Sequence, residues 1–181
     1  MKLFSFLNRD CEDLLPAWLA HYSRLGVTEF RLVHHGPAND RAWLERFAER
    51  YPLEIVDSFD GVFDEDLKCA RMTAALGDCR GEWLVAVDSD EFLELPYRTL
   101  RRTIKMLALL GAESLYAPML QRLAVDGGLE RVNAETDVGK LFPLASTHLC
   151  ERLCPLPVFG QKYPLFFNGA SARIRNGFHY P

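Results

Sequence analysis

The sequence is short of several features that would mark a specialised class. No stretch approaches the run of about 20 apolar residues that crosses a bilayer. Met1-Lys2-Leu3-Phe4-Ser5-Phe6-Leu7 is too short for the core of a secretion signal and is broken by Asn8-Arg9-Asp10. We therefore expect a cytoplasmic protein without a transmembrane segment, at most peripheral to a membrane. Basic residues are not in excess: 21 Lys and Arg stand against 25 Asp and Glu, for a net charge of −4. That removes the global positive field that nucleic acid would need. Internal repeats, low-complexity tracts and linkers are also missing. Cysteine is sparse and odd in number, with five residues: Cys11, Cys69, Cys79, Cys150 and Cys154. This argues for reduced thiols rather than a disulfide framework. Cys150 and Cys154 would share one face of a helix. A zinc ion there would need two further ligands, and His148 is one nearby candidate. We read the two cysteines as small buried apolar residues.

What is present suits one domain spanning 1–181. A chain of 181 residues buries roughly 70% of the surface its unfolded form exposes. Its 49% apolar and 25% charged residues are ordinary for a globular protein. Lys2 to Leu7 reads as a strand. Leu14, Leu15, Trp18, Leu19, Tyr22 and Leu25 recur at helical spacing, and Gly26 is a good terminator. Phe30 to Val33 reads as a second strand. Asn39 or Asp40 is placed to cap a helix carrying Trp43, Leu44, Phe47 and Tyr51, with Pro52 beyond it. Leu53 to Val56 is a third strand, Asp64 to Leu76 a helix, and Trp83 to Val87 a fourth strand. Such alternation implies βαβ units and a mostly parallel central sheet flanked by helices, with the loops after each strand along one edge. After Pro96 the pattern changes. Thr99 to Leu110 reads as an amphipathic helix, Ser114 to Ala117 and Leu120 to Val125 as strands, and Asp126-Gly127-Gly128 as a turn. The remainder is rich in proline and glycine, so we expect a smaller, mixed second half.

The apolar run Trp83-Leu84-Val85-Ala86-Val87 ends in Asp88-Ser89-Asp90-Glu91-Phe92. Asp88 and Asp90 then lie at the carboxyl end of a buried strand, where open α/β sheets place their ligands. Close carboxylates repel unless a cation or a proton relieves them. A hard divalent ion, Mg²⁺ or Mn²⁺, is one relief, and such ions often bridge carboxylates to substrate phosphates. The alternative is a solvated acidic turn that caps the next helix. Lys68 and Arg71 are placed to share a helix face, either to offset phosphate charge or as a solvated basic stripe. His34 and His35 point to opposite sides of an extended strand and make a poor chelating pair.

The strand running into Asp88-X-Asp90-Glu91-Phe92 resembles the glycosyltransferase family 2-like proteins of the GT-A fold, in particular a bacterial subgroup with Glu-Phe after the second Asp. Further matches are Phe6-Leu7-Asn8, Leu15-Pro16-Ala17-Trp18-Leu19-Ala20-His21-Tyr22 and Leu25-Gly26-Val27. Lys68 and Arg71 ahead of Gly81-Glu82-Trp83, Lys162-Tyr163-Pro164-Leu165, and Gly177-Phe178-His179 also match. The resemblance implies a GT-A-like, Rossmann-like α/β fold. Residues 1–96 would form the nucleotide-sugar-binding half and 97–181 the acceptor side. It implies a metal-dependent glycosyltransferase that moves a sugar from a nucleotide-diphosphate donor to an acceptor glycan, lipid-linked group or protein. Asp90 would be the direct ligand of Mn²⁺ or Mg²⁺, and Asp88 would reach the ion through water or touch the ribose. His179 would return to the same cleft as a further metal contact. Asn8, Lys68, Arg71 and Asp88 would meet the nucleotide sugar, and Glu91 would face the acceptor or cap the following helix. An inverting transferase also needs a base near the acceptor hydroxyl. Glu135, Asp137 and Glu151 lie in the right half, but none sits in a motif, and no catalytic residue is assigned. Two other classes use the same acids: a degenerate, non-catalytic GT-A module that binds a glycan or protein partner, and a metal-dependent phosphohydrolase.

Overall fold

A computed structural model describes residues 1–128, 131–147, 160–169 and 172–174. Its central sheet has six strands: β1 (Lys2–Leu7), β2 (Glu29–His35), β3 (Leu53–Phe59), β4 (Trp83–Ala86), β5 (Ser114–Pro118) and β8 (Gln161–Phe167). Two shorter strands, β6 (Gln121–Leu123) and β7 (Leu144–Ser146), pair antiparallel as a separate ribbon. The central order is β3-β2-β1-β4-β8-β5. Strands β1 to β4 run parallel, and β8 runs antiparallel between β4 and β5. This is the expected α/β class: a mostly parallel sheet flanked by helices, with a small antiparallel piece in the second half. Among the described residues no helix is long and apolar enough to cross a membrane.

Alternation along the strands assigns side chains to the two faces. Leu3, Val85 and Leu165 face one side, with Leu15, Trp18, Leu19 and Tyr22 of helix α1 (Leu15–Leu25). The same core takes Leu44 of α2 (Ala42–Ala48), and Leu100 and Leu107 of α4 (Leu100–Leu109). Phe4, Leu84 and Phe166 face the other side, with Met72 of α3 (Glu65–Ala75) and Leu76 just beyond it. Strands buried on both faces need near-continuous apolar runs, which is how β1 and β4 read.

Local signals explain most boundaries. Gly26 ends α1 in the left-handed region, φ 107°, and its N–H bonds back to the Tyr22 and Ser23 carbonyls. Asp64 caps α3 by accepting from the Leu67 N–H at 2.7 Å. Thr99 caps α4 by accepting from the Arg102 N–H. Three expectations need correction. Neither Asn39 nor Asp40 caps α2. They lie in a 3₁₀ turn over Ala38–Arg41, and the Asp40 carboxylate instead accepts from Arg9 at 2.7 Å. Strand β3 runs on past Val56 to Phe59, because its polar residues find partners: Asp57 pairs with Arg71, and Ser58 meets His34. The strand expected over Leu120 to Val125 is shorter, β6 at Gln121–Leu123, and the Asp126-Gly127-Gly128 turn lies beyond it, with the Asp126 carboxylate taking the Gly128 N–H. Strand β6 pairs with the distant β7.

Candidate functional site: an acidic loop held by a helix and two lysines

Beyond β4 the chain must satisfy its backbone without a strand partner. The Val87 N–H still donates to the Phe4 carbonyl at 3.2 Å, and Asp88 then leaves the sheet. Helix α1 supplies what the ladder no longer does. The indole N–H of Trp18 donates to the Asp88 carbonyl at 3.2 Å. The Tyr22 hydroxyl donates to the Glu91 carbonyl at 3.0 Å and accepts from the Leu93 N–H at 3.1 Å. His21 Nε2 lies 3.0 Å from the Leu93 carbonyl, which can only accept, so Nε2 carries the proton. Its ring also meets Phe92 edge-on at 5.4 Å. The loop closes on itself as well: the Glu91 N–H donates to the Asp88 carbonyl, and the Asp88 N–H donates to Glu91 Oε2, both at 3.2 Å. Three neighbouring side chains of one helix thus hold the motif.

The acids of this loop meet two lysines. Lys68 Nζ, from α3, is 3.1 Å from Asp88 Oδ1. Lys162 Nζ, from β8, is 2.5 Å from both Asp88 Oδ2 and Glu91 Oε1. The lysine side chains are only 8% and 6% exposed, against 23% for Asp88 and 20% for Glu91. Charges this sheltered persist only when paired. Lys68 further lies 5.3 Å over the Phe6 ring and 3.7 Å from Glu65. Burial pushes the Glu91 carboxyl up to about 7, and Asp88 adds to the rise while Lys162 opposes it. For Lys162 burial works downward, but Glu91 and Asp88 outweigh it and raise its pKa. Asp90 is exposed and, among the described residues, takes no hydrogen bond or ion pair. Behind it the Cys11 thiol donates to the Asn8 carbonyl at 2.8 Å. Burial drives that thiol up to about 11, so it stays protonated and unreactive.

The predicted site residues are only partly gathered. Asp88, Glu91 and Lys68 meet. Asn8 sits at the end of β1 and donates through Nδ2 to Asp10 at 2.9 Å. Arg71 parts from Lys68: its Nη1 grips both oxygens of Asp57, at 3.0 and 2.9 Å, and its guanidinium lies 4.5 Å over the Phe59 ring. Glu91 caps no helix, since α4 begins at Leu100. Its carboxylate turns back onto Asp88 N–H and Lys162. Asp137 caps the short helix α5 (Val138–Leu141), and Glu135 is exposed. His34 is fully buried beside Ser58, while His35 stacks with Phe6 and Phe59, so the two do face apart. His179, His148, Cys150, Cys154 and Glu151 lie outside the described residues. A cavity of about 270 Å³ lined by Pro16, Arg46, Phe47, Arg50, Tyr51 and Ala134 shares no residue with the acidic loop.

Lys162 enters the sequence reading only within the matching segment Lys162-Tyr163-Pro164-Leu165, with no role at the site. Its signal is a lysine directly ahead of the apolar run Tyr163-Pro164-Leu165-Phe166-Phe167. A buried lysine needs a carboxylate partner. Trp18 and Tyr22 read as part of the apolar helical stripe and His21 only as part of the matching segment, none of them as a clamp on the loop.

Among the described residues no group of three His, Cys, Asp or Glu side chains forms a ready cage for a metal. The donor set still fits an ion such as Mg²⁺, which commonly takes one or two carboxylates and fills its shell with water and substrate phosphates. Asp90 is the accessible carboxylate for that purpose, because both Asp88 oxygens already face ammonium groups.

No protein-family model matches the sequence, and no curated protein does. Solved structures that resemble the fold include S. aureus TarS, at TM-score 0.45 and 17% identity, covering 71% of this chain and 23% of that one. They also include TarS 1–349, at 0.42 and 18%, covering 72% and 39%. A third is TarS 1–349 in complex with UDP-GlcNAc, at 0.41 and 16%, covering 72% and 37%. The chain therefore spans well under half the length of each.

Proposed function

We propose that this chain is a metal-dependent glycosyltransferase, or the donor-binding part of one, that takes a nucleotide-diphosphate sugar at the carboxyl edge of its sheet. The observation that carries the reading is the Asp88-Ser89-Asp90-Glu91 loop at the end of β4, fixed by α1, with Lys68 and Lys162 converging on it. The fold remains GT-A-like in this reading. Asp90 is the direct ligand of Mn²⁺ or Mg²⁺, and Asp88, held by its lysines, supports it through water or meets the ribose. A bound divalent ion supplies electrostatic relief of the diphosphate charge as the glycosidic bond breaks. The chain's own part is to hold the motif rigidly, so that no reorganisation is needed when that charge develops. In this reading Asn8 and Lys68 would meet the nucleotide. Arg71 acts on β3 through Asp57 and reaches a donor only by leaving that pair. Glu91 is on the acceptor side.

Calorimetry with nucleoside diphosphates and nucleotide-diphosphate sugars in the presence of Mn²⁺ tests the proposal. Binding that Asp90→Asn abolishes supports it. Folded protein that binds none of them overturns it. His179→Ala should weaken binding less and move the preference from Mn²⁺ toward Mg²⁺, since imidazole suits Mn²⁺ better.

A second reading has its own support. Asp88 and Glu91 are already neutralised by lysines, as they would be in a module that binds a glycan or protein partner without catalysis. Donor binding with neither transfer nor hydrolysis across many acceptors would favour it.

A further inference from the structure

The acidic loop contains more carboxylate than a single ion needs and more ammonium than a metal site usually tolerates. Asp88 has a lysine on each oxygen, and Lys162 bridges it to Glu91 with 2.5 Å contacts on both sides. The two lysines come from opposite directions in the chain, one from α3 and one from the antiparallel strand β8. Both are almost completely buried, so neither can swing away into water at small cost. Lys162 is also fixed from below: β8 pairs with β4 through Leu165 and Val85 and with β5 through Lys162 and Ala117. Its ammonium is therefore a resident part of the loop.

Resting on the metal-dependent reading above, we propose that Lys162 is a positioning residue that competes with the divalent cation for Asp88. It occupies the face of Asp88 that an ion would otherwise take, ties Glu91 to the same point, and leaves Asp90 as the carboxylate that meets the ion. The free protein then binds a bare cation weakly, and the donor's phosphates must bring the rest of the coordination shell. The physical ground is charge. A divalent ion next to a buried ammonium is strongly disfavoured at low dielectric. The same ion between two carboxylates freed of that ammonium is strongly favoured.

The test uses Mn²⁺ alone as probe, with binding to the whole chain followed by calorimetry and by the loss of the free-ion electron paramagnetic resonance signal. Lys162→Met should bind Mn²⁺ roughly tenfold or more tighter than the unaltered protein, because it frees Asp88 Oδ2 and Glu91 Oε1 from their shared ammonium. Lys162→Arg, which keeps the charge, should stay close to the unaltered protein. Asp88→Asn added to Lys162→Met should remove the gain. A purely structural role for Lys162 would lower the melting temperature without tightening Mn²⁺ binding, and that result overturns the proposal. So does an absence of Mn²⁺ binding in both the unaltered protein and Lys162→Met. If Lys162→Met does not fold, Lys68→Met removes the other ammonium on Asp88 and should also tighten Mn²⁺ binding, though less. Failure of that gain in the folded Lys68→Met protein then counts against competition. The two readings separate cleanly. A gain of Mn²⁺ affinity in Lys162→Met, with no nucleoside diphosphate bound by any form, supports the lysine competition and defeats donor binding. Nucleotide binding with Mn²⁺ affinity indifferent to Lys162 does the reverse.

Discussion

The strands β1 to β4 and the strands β5 and β8 arrive in one sheet by different routes. The first four are parallel, each followed by helix or turn, and their side chains fill both faces of the core. Strand β8 comes from far along the chain, enters antiparallel between β4 and β5, and brings Leu165 to one face and Phe166 to the other. The surroundings differ too. Among the described residues, Leu109, Leu110, Tyr116, Leu120, Val125 and Leu144 are exposed in the second half, against Val62, Phe63 and Leu67 in the first. The loop after β4 draws on both regions, but for separate things. Its backbone is held by α1 from the first half, and its charge is balanced in part by Lys162 from the second. Shape and charge at this loop therefore respond to different mutations.

The largest effect should come from the shape side. Trp18 is fully buried, packs on Tyr22 at 4.9 Å between ring centres, and donates to the Asp88 carbonyl. Trp18→Ala should cost about 3–5 kcal/mol in denaturant unfolding, the usual cost of emptying a buried aromatic site. Amide exchange over residues 88–93 should quicken more than over β8. Equal loss in both regions would show that α1 supports the whole sheet and not the loop in particular.

A smaller effect should come from the join between the regions. Just past β8, Asn168 donates through Nδ2 to the Leu76 and Cys79 carbonyls, both at 2.9 Å, and its N–H donates to the Glu82 carbonyl at 2.8 Å. It is a buried latch between the end of β8 and the turn leaving α3. Asn168→Ala removes both side-chain bonds, leaving the Leu76 carbonyl with the Cys79 N–H and the Cys79 carbonyl with the Glu82 N–H, and should cost about 1–3 kcal/mol. The exchange pattern should be the opposite of that for Trp18→Ala, with β8 loosened first. If the loop at 88–93 loosens equally, Lys162 transmits the change through its ion pairs, and the division between shape and charge is less complete than the contacts suggest.

This division also explains what the sequence made legible. Lys2 to Leu7 is readable to the residue, because a buried parallel strand is a near-continuous apolar run, here interrupted only by the small Ser5 after its first residue. Helix α1 with its Gly26 stop, the helix from Asp64 to Leu76 and the motif strand are legible in the sequence, whereas the capping role of Asp64 is shown by the structure. Strand β3 extends past the last apolar residue of the Leu53 to Val56 run because Arg71 and His34 meet Asp57 and Ser58, partners that lie elsewhere in the chain. The pairing of β6 with β7 was not legible, since a three-residue strand carries little periodic signal and its partner lies across a long connection. The site followed the same rule. Asp88 and Asp90 directly follow the strand that positions them, and Lys68 lies on α3, the helix that precedes that strand. Lys162 is brought in by a long-range antiparallel pairing, and local pattern contains no trace of such a pairing.

The smallest expected effect is one of pH, and it again separates the two regions. The histidines among the described residues, His21, His34 and His35, all belong to the first half. Burial holds His21 below its ordinary value of 6.5, with Arg24 adding to the fall and the Leu93 carbonyl and Glu94 opposing it. Burial likewise lowers His34, whose side chain is wholly enclosed; Asp40 opposes the fall, while Arg41 and His35 add to it. A base with a depressed pKa in the folded state takes up its proton later than the unfolded chain does. The stability it contributes is complete above about 6.5 and is lost as the pH falls through the folded value. Unfolding midpoints measured from about pH 7.5 down to about 5 should therefore decline below the ordinary histidine range. His34→Gln should remove part of the decline without altering the loop. His21→Gln should remove another part and, because it changes the contact to Leu93, also quicken amide exchange at residues 88–93 at neutral pH. A decline that persists unchanged in the double variant would place the titrating group elsewhere and sever the proposed link between His21 and the acidic loop.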